Sequence, residues 1–227
     1  MPQQKMDRNA IRDGAFIDIM REGERLGLFT LSTEAERKAS LSSILSDRPN
    51  QNGIWVFGYG SLMWNPAMHI AEQRLGRIYG FHRAYRLSSP IGRGMPDNPG
   101  LTLCLDTGGS TTGMALRLDP KSEEEELAIL WDREMITGAY VARWVTVETG
   151  QGPLAAITFV ANRTHPRYVG KLPDDDIVKT LATATGCLGS AHDYLKQTIC
   201  ELEKLGHRAT ELHTLENRVS HYNRTLK

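Results

Sequence analysis

Two stretches of this chain carry residue types suited to chemistry. In the first, Val56-Phe57-Gly58-Tyr59-Gly60-Ser61-Leu62-Met63-Trp64-Asn65-Pro66, an apolar run enters a turn holding two glycines and a serine. Glycines at such a point let the backbone approach a ligand closely and leave several N–H groups free, a cradle for a carboxylate or phosphate. A tight turn after a buried strand accounts for the same residues and, taken alone, is the commoner use of such a sequence. Two other glycine motifs do not fit: G-x-G-x-x-G requires glycine where Met63 stands, and G-x-S-x-G requires it at both Tyr59 and Met63. Ser61 is therefore a poor candidate for a nucleophile.

The second stretch is Leu130-Trp131-Asp132-Arg133-Glu134-Met135-Ile136-Thr137-Gly138-Ala139-Tyr140. Helical spacing sets Leu127, Leu130, Trp131 and Glu134 on one side, which places a carboxylate on an apolar stripe. Burial against apolar groups raises a carboxyl pKa towards neutrality, as a proton shuttle at physiological pH requires. A helix-end glutamate paired with Arg133 or Arg143 fits the spacing equally well. Two further features are weaker. Arg93, in the loop Gly92 to Gly100, has the planar fork that clamps a carboxylate, although a plain surface turn explains that loop too. The four acids Glu123 to Glu126 point in different directions around a helix and cannot converge on one ion, so a solvated first turn is expected.

These residues need elements to position them. Two helices are expected early, over Ala10 to Arg25 and Thr33 to Ser46, the second opened by a Thr33/Glu36 capping box. The run Asp47 to Gly53 breaks structure, so residues 1–53 read as an N-terminal helical extension and 54–227 as the main domain. Strands are expected at Ile54 to Phe57, Arg74 to Leu87, Leu101 to Leu105, Thr112 to Leu118, Ala142 to Val147 and Leu154 to Val160, separated by glycine and proline clusters. One helix interrupts them, opening at Ser122 as a cap with Glu125 reaching back and ending near Arg133, and helices follow Pro173. Many strands with one intervening helix suggest an antiparallel or mixed sheet curling towards a barrel, so the fold class is α+β.

Composition narrows the function. Lys plus Arg and Asp plus Glu each count 27, so no basic field exists to hold a phosphate backbone, and nucleic acid is not expected as a partner. The longest apolar runs fall short of the roughly 20 residues that span a bilayer. The first twelve residues lack the apolar core of a secretory signal, which points to the cytoplasm. Cys104, Cys187 and Cys200 form no C-x-x-C pair and read as small core residues. The dispersed histidines give no spacing that suits zinc, so no metal is expected, and the reading as a whole calls for no cofactor.

In chain order, Val56 to Pro66, the G-F-H-R-A stretch at Gly80 to Ala84, R-G-x-x-x-x-P-G from Arg93 to Gly100, T-T-G-M-A at Thr111 to Ala115, W-D-R-E-M-I-T-G-A-Y at Trp131 to Tyr140 and H-P-x-Y at His165 to Tyr168 resemble the ChaC-type γ-glutamylcyclotransferases, the glutathione-specific branch of that family. The resemblance implies a small barrel-like mixed sheet with flanking helices. It also implies cyclisation of the γ-glutamyl end of glutathione to 5-oxoproline and cysteinylglycine, with Glu134 as acid/base. The loop Tyr59, Gly60, Ser61 and Leu62 would then bind the γ-glutamyl group. Arg93, Tyr140 and Tyr168 would contact substrate, Tyr140 alternatively orienting Glu134. Residues 1–50 resemble the helical extension of bacterial members and are assigned no chemistry. A cyclotransferase for other γ-glutamyl amines or dipeptides would share the glutamyl pocket and differ in leaving group. The family's association with cation-transport regulation supplies a third, non-enzymatic reading. Oligomeric state is not legible.

Overall fold

The computed structural model describes residues 6–50 and 52–226. Five strands, β1 (Trp55–Gly58), β2 (Ile70–Ser89), β3 (Gly100–Leu118), β4 (Tyr140–Thr149) and β5 (Leu154–Ala161), close into a barrel in the order β1-β3-β2-β4-β5, and β3 also meets β5. Most pairings are antiparallel, but β1 runs parallel to β5 where Val56 faces Ile157. Closure leaves this sheet no open edge. The α+β barrel expected from the strand pattern is therefore present.

The two strands expected over 101–105 and 112–118 are one. β3 pairs with β2 from Ile70 opposite Leu118 to Ser89 opposite Gly100, with irregularities in register. Gly108 and Gly109 take φ of 96° and 72°, and Gly80 on the partner takes 85°. Glycine adopts this region without a Cβ clash, so these residues kink the ribbon where a break was expected.

Alternation along β1 feeds two cores. Trp55 and Phe57 pack with residues of α6 (Asp174–Thr183), α7 (Ala191–Lys204) and α8 (Thr210–Thr225), among them Leu181, Leu195 and Val219. Ile54 and Val56 pack instead with Leu127, Leu130 and Trp131 of α5 (Glu123–Glu134). A four-residue helix, α4 (Ser61–Trp64), follows β1 directly.

The N-terminal segment forms α1 (Arg8–Arg12), α2 (Ala15–Arg25) and α3 (Glu34–Ser46). The helix expected over 10–25 is split at Gly14, whose φ of 88° ends a right-handed turn. The capping box is as expected: Thr33 Oγ1 accepts from the Glu36 N–H at 3.2 Å, and Glu36 Oε2 accepts from the Thr33 N–H at 2.7 Å.

The acidic start of α5 corrects the expectation of a solvated turn. Glu126 has a fully buried side chain that accepts from Arg8 Nη2 at 2.7 Å and lies 3.0 Å from His69 Nδ1. Glu123 Oε2 accepts from the Ile54 N–H at 2.9 Å. Four successive acids circle the helix, so one must face inward, and an arginine from α1 meets it. Ser122 makes no capping bond through its side chain, and Glu125 reaches outward to Arg8 at 2.8 Å instead of back. Cys104 is buried as expected, Cys187 is half-buried and Cys200 is exposed on α7, so the third is not a core residue.

A candidate active site at the end of helix α5

Glu134 is the last residue of α5. The chain turns sharply after it, with the Gly138 N–H bonding the Met135 carbonyl at 3.2 Å and Gly138 at φ 69°. The Glu134 side chain is 12 % exposed. Burial raises its carboxyl pKa, and the positive charge of Arg133 opposes part of that rise.

Arg133 connects Glu134 to the glycine turn. Its Nε lies 3.0 Å from Glu134 Oε1, Nη2 donates to Ser61 Oγ at 2.9 Å, and Nη1 donates to the Asn65 carbonyl at 2.5 Å. The pairing with Arg133 weighed from the sequence is real, and so is the burial. The turn is fixed from behind as well. Tyr59 donates its hydroxyl to the Phe159 carbonyl at 2.8 Å, and Arg83 donates to the Tyr59 and Thr112 carbonyls, each at 2.6 Å. A Cβ on Gly60 would lie 2.6 Å from Tyr194 Oη, so glycine is needed there for close approach.

Two voids meet at Glu134. An inner recess of about 20 Å³ is walled by Tyr59, Gly60, Ser61, Leu62, Leu103, Tyr140, Phe159 and Tyr194. An outer cleft of about 350 Å³ shares Ser61, Glu134, Tyr140 and Tyr194 with it and continues past Trp64, Arg93 and Arg167. That volume lies within the usual range for small-molecule sites.

The loop Tyr59 to Leu62, Arg93 and Tyr140 therefore come together with Glu134. The Arg93 guanidinium sits over the rings of Trp64, at 5.7 Å, and Tyr194, at 5.4 Å. Among the described residues no carboxylate lies within ion-pair distance of it, and burial lowers its pKa. Tyr140 lines both voids, but its hydroxyl donates to the Leu103 carbonyl at 3.0 Å, so it shapes the wall and makes no bond to Glu134. Tyr168 is the displaced member. Its hydroxyl donates to Asp106 Oδ2 at 2.7 Å, in a cluster with Arg86 and Arg163, and it lines neither void.

Three site residues escaped the sequence reading. Arg133 entered only as an ion-pair partner, although its adjacency to Glu134 was a signal. Tyr194 lies beside Leu195 in a helical stripe that reads as core. Arg167 stands within the quoted H-P-x-Y stretch at its unspecified position. The N-terminal segment also contributes to the cleft through Met6, Ile11, Phe16 and Met20.

The closed five-stranded barrel with flanking helices is the γ-glutamylcyclotransferase fold. A crystal structure of a selenomethionine-labelled yeast γ-glutamyl cyclotransferase specific to glutathione superposes with a TM-score of 0.68 at 23% identity, covering 76% of this chain and 97% of that one. The model of the family described as ChaC-like protein matches residues 54–222, and the chain belongs to that family. The glutathione-specific γ-glutamylcyclotransferase of Escherichia coli K12 is 43% identical over 172 residues, 75% of this chain and 74% of its own length. Glutathione-specific γ-glutamylcyclotransferase 1 of Rattus norvegicus is 30% identical over 184 residues, 77% of this chain and 83% of its own.

Proposed function

We propose that this chain is a glutathione-specific γ-glutamylcyclotransferase, with Glu134 as the group that moves the proton. The observation that carries the reading is the position of Glu134: a buried carboxylate of raised pKa, where a glycine-rich recess opens into a cleft of substrate size. Two relatives at 43% and 30% identity bear that activity in their names.

The chemistry follows from the geometry. An α-amine with a pKa of about 8 is largely protonated at neutral pH and must lose a proton before it can attack. Glu134 takes that proton. The freed nitrogen bonds to the γ-carbonyl carbon of the same glutamyl residue, and the amide C–N bond to cysteinylglycine breaks. The attacking nitrogen sheds two protons in all and the departing nitrogen gains two, so Glu134 ends as it began. No water or outside nucleophile is consumed, and the reaction calls for no cofactor. Holding the glutamyl chain curled supplies the proximity that makes an amide vulnerable. Backbone N–H groups of the turn at 58–62 stabilise the oxyanion, and Arg93 receives the glutamyl carboxylate.

The reading also gives a place. The three cysteines are free thiols, in keeping with a reducing compartment, and we assign the enzyme to the cytoplasm. No helix among the described residues is long and apolar enough to cross a membrane.

The test is incubation of the purified chain with glutathione, followed by mass-spectrometric detection of 5-oxoproline and cysteinylglycine. Both products are expected. Turnover of γ-glutamyl-alanine with glutathione left intact would select a cyclotransferase of different leaving group, and silence on every γ-glutamyl compound would leave a binding protein.

A further inference from the structure

Beside Arg93 and Arg133 the cleft is lined by a third arginine, half-buried Arg167, which the mechanism above does not use. Arg167 donates from Nε to the Ser88 carbonyl at 2.7 Å and from Nη1 to Thr137 Oγ1 at 3.1 Å. Its guanidinium lies 5.5 Å from the ring centre of Phe29, in the segment between α2 and α3. Among the described residues, Nε and Nη1 are the nitrogens of its guanidinium that the protein engages. Among the described residues Nη2 makes no hydrogen bond and no carboxylate stands within ion-pair distance of Arg167, which lines the cleft. A desolvated cation facing a cavity without an anion is costly unless a ligand supplies one.

Its surroundings describe the rest of that ligand. Phe16 and Met20 of α2 and Ile136 line the same cleft, an apolar and polarisable wall suited to a thiol-bearing side chain. The N-terminal segment is stitched to the turn beside Glu134: the Ser32 N–H bonds the Ile136 carbonyl at 2.8 Å, and Ser32 Oγ bonds the Met135 carbonyl at 2.9 Å. Arg93 stands over Trp64 and Tyr194, next to the glycine turn, whereas Arg167 is held by Ser88, Thr137 and Phe29. Glutathione carries two carboxylates, one on the glutamyl residue and one at the end of the leaving dipeptide.

We propose that Arg167 binds the terminal carboxylate of the leaving dipeptide, and that residues 16–29, by stacking Phe29 on it and walling the cleft with Phe16 and Met20, set the preference for that leaving group. The inference rests on the cyclotransferase reading. It gives the N-terminal segment, which lies outside the matched family region, a part in substrate choice.

The experiment compares glutathione with its C-terminal amide on the wild type, Arg167→Met and Arg167→Lys. A charge-assisted bidentate contact predicts that the wild type has a KM about ten- to a hundredfold lower for the acid than for the amide, with similar kcat. Arg167→Met should raise KM for the acid to that of the amide and leave the amide unchanged, a difference that a general loss of structure would not produce. Arg167→Lys should recover part of the preference. If Arg167→Met does not fold, by circular dichroism, the wild-type comparison and the lysine variant still decide. A wild type that cyclises glutathione yet treats acid and amide alike, or a methionine variant that keeps the preference, overturns this inference alone. A wild type that releases no 5-oxoproline from any γ-glutamyl compound overturns the cyclotransferase reading, and this one with it.

Discussion

Arg133 and Glu134 are neighbours in the chain and partners in space, with Arg133 Nε 3.0 Å from Glu134 Oε1. The same guanidinium holds Ser61 Oγ at 2.9 Å, so the residue that moderates the carboxylate also locates it against the glycine turn.

Removing the carboxylate separates chemistry from shape. Glu134→Gln is expected to lower kcat by about a hundredfold to ten-thousandfold, the usual worth of general acid/base catalysis. Stability should move the other way. Because burial raises the pKa of Glu134, its contribution to stability is fully present below the unfolded-state pKa and is lost as pH rises through the folded value. At neutral pH the glutamine variant should therefore have the higher Tm, measured calorimetrically beside 5-oxoproline release. Wild-type turnover in a folded variant would remove Glu134 from the mechanism.

The pH profile reads the same pair. The base acts only when ionised, so the acid limb of log kcat/KM should lie above the ordinary carboxylate value of 4.5. Arg133 opposes the rise, so Arg133→Met should push that limb to higher pH. A limb that stays in place would show that another group titrates.

Gly60 tests close approach. Gly60→Ala should cost about a hundredfold in kcat/KM, because its Cβ would press on Tyr194 Oη and move the turn. Tyr194→Phe removes the obstructing oxygen, so the double variant should regain activity relative to Gly60→Ala. Simple additivity of the two losses would contradict the steric account.

How far the site could be read in advance depended on what each residue's partners were. Glu134 and the turn at 58–62 stood out because a carboxylate on an apolar stripe and paired glycines after a strand are local patterns. Tyr168 could not be placed in advance because its hydroxyl partner, Asp106, lies 62 positions away and no spacing rule reaches it. Arg167 and Tyr194 were hidden for the same reason: an arginine in a loop and a tyrosine in a helical stripe acquire meaning only when the barrel brings them to one cleft. The barrel class followed from counting strands, whereas the glycine pair at 108–109 looked like a terminator and proved to be a bend within a strand.

Tyr168→Phe is accordingly expected to leave kcat and KM within about twofold, as for a substitution away from the site. Asp106 is buried, which would raise its pKa, but hydrogen bonds from Tyr168, the Thr107 N–H, Arg163 and Arg86 outweigh that and hold it at about 2. The stability this gives is present above the unfolded value of about 3.9 and is lost as pH falls towards 2. The variant should lose part of that acid-sensitive stability, seen by following unfolding between neutral pH and pH 2. A change in KM instead would return Tyr168 to the substrate.

The N-terminal helices are secured at Glu126. Arg8→Met leaves a fully buried carboxylate with, among the described residues, only His69 beside it, and a loss of about 3 kcal/mol in urea unfolding is expected, as for breaking a buried pair. If the helices loosen, KM for glutathione should rise while kcat changes little. An unchanged unfolding midpoint would mean that the pair contributes nothing.

The parallel pairing of β1 with β5 bears on the order of assembly. Val56 and Ile157 stand roughly a hundred positions apart, and such distant contacts form late and slowly because loop entropy must first be overcome. The bonds that seat the glycine turn, from Tyr59 to the Phe159 carbonyl and from Thr158 to the Phe57 carbonyl, cross that same junction. A chain emerging from the ribosome can build the β2–β3 ribbon early, yet its turn has no seat until β5 arrives. A chain in which β5 has not docked therefore lacks both bonds that hold the turn in place.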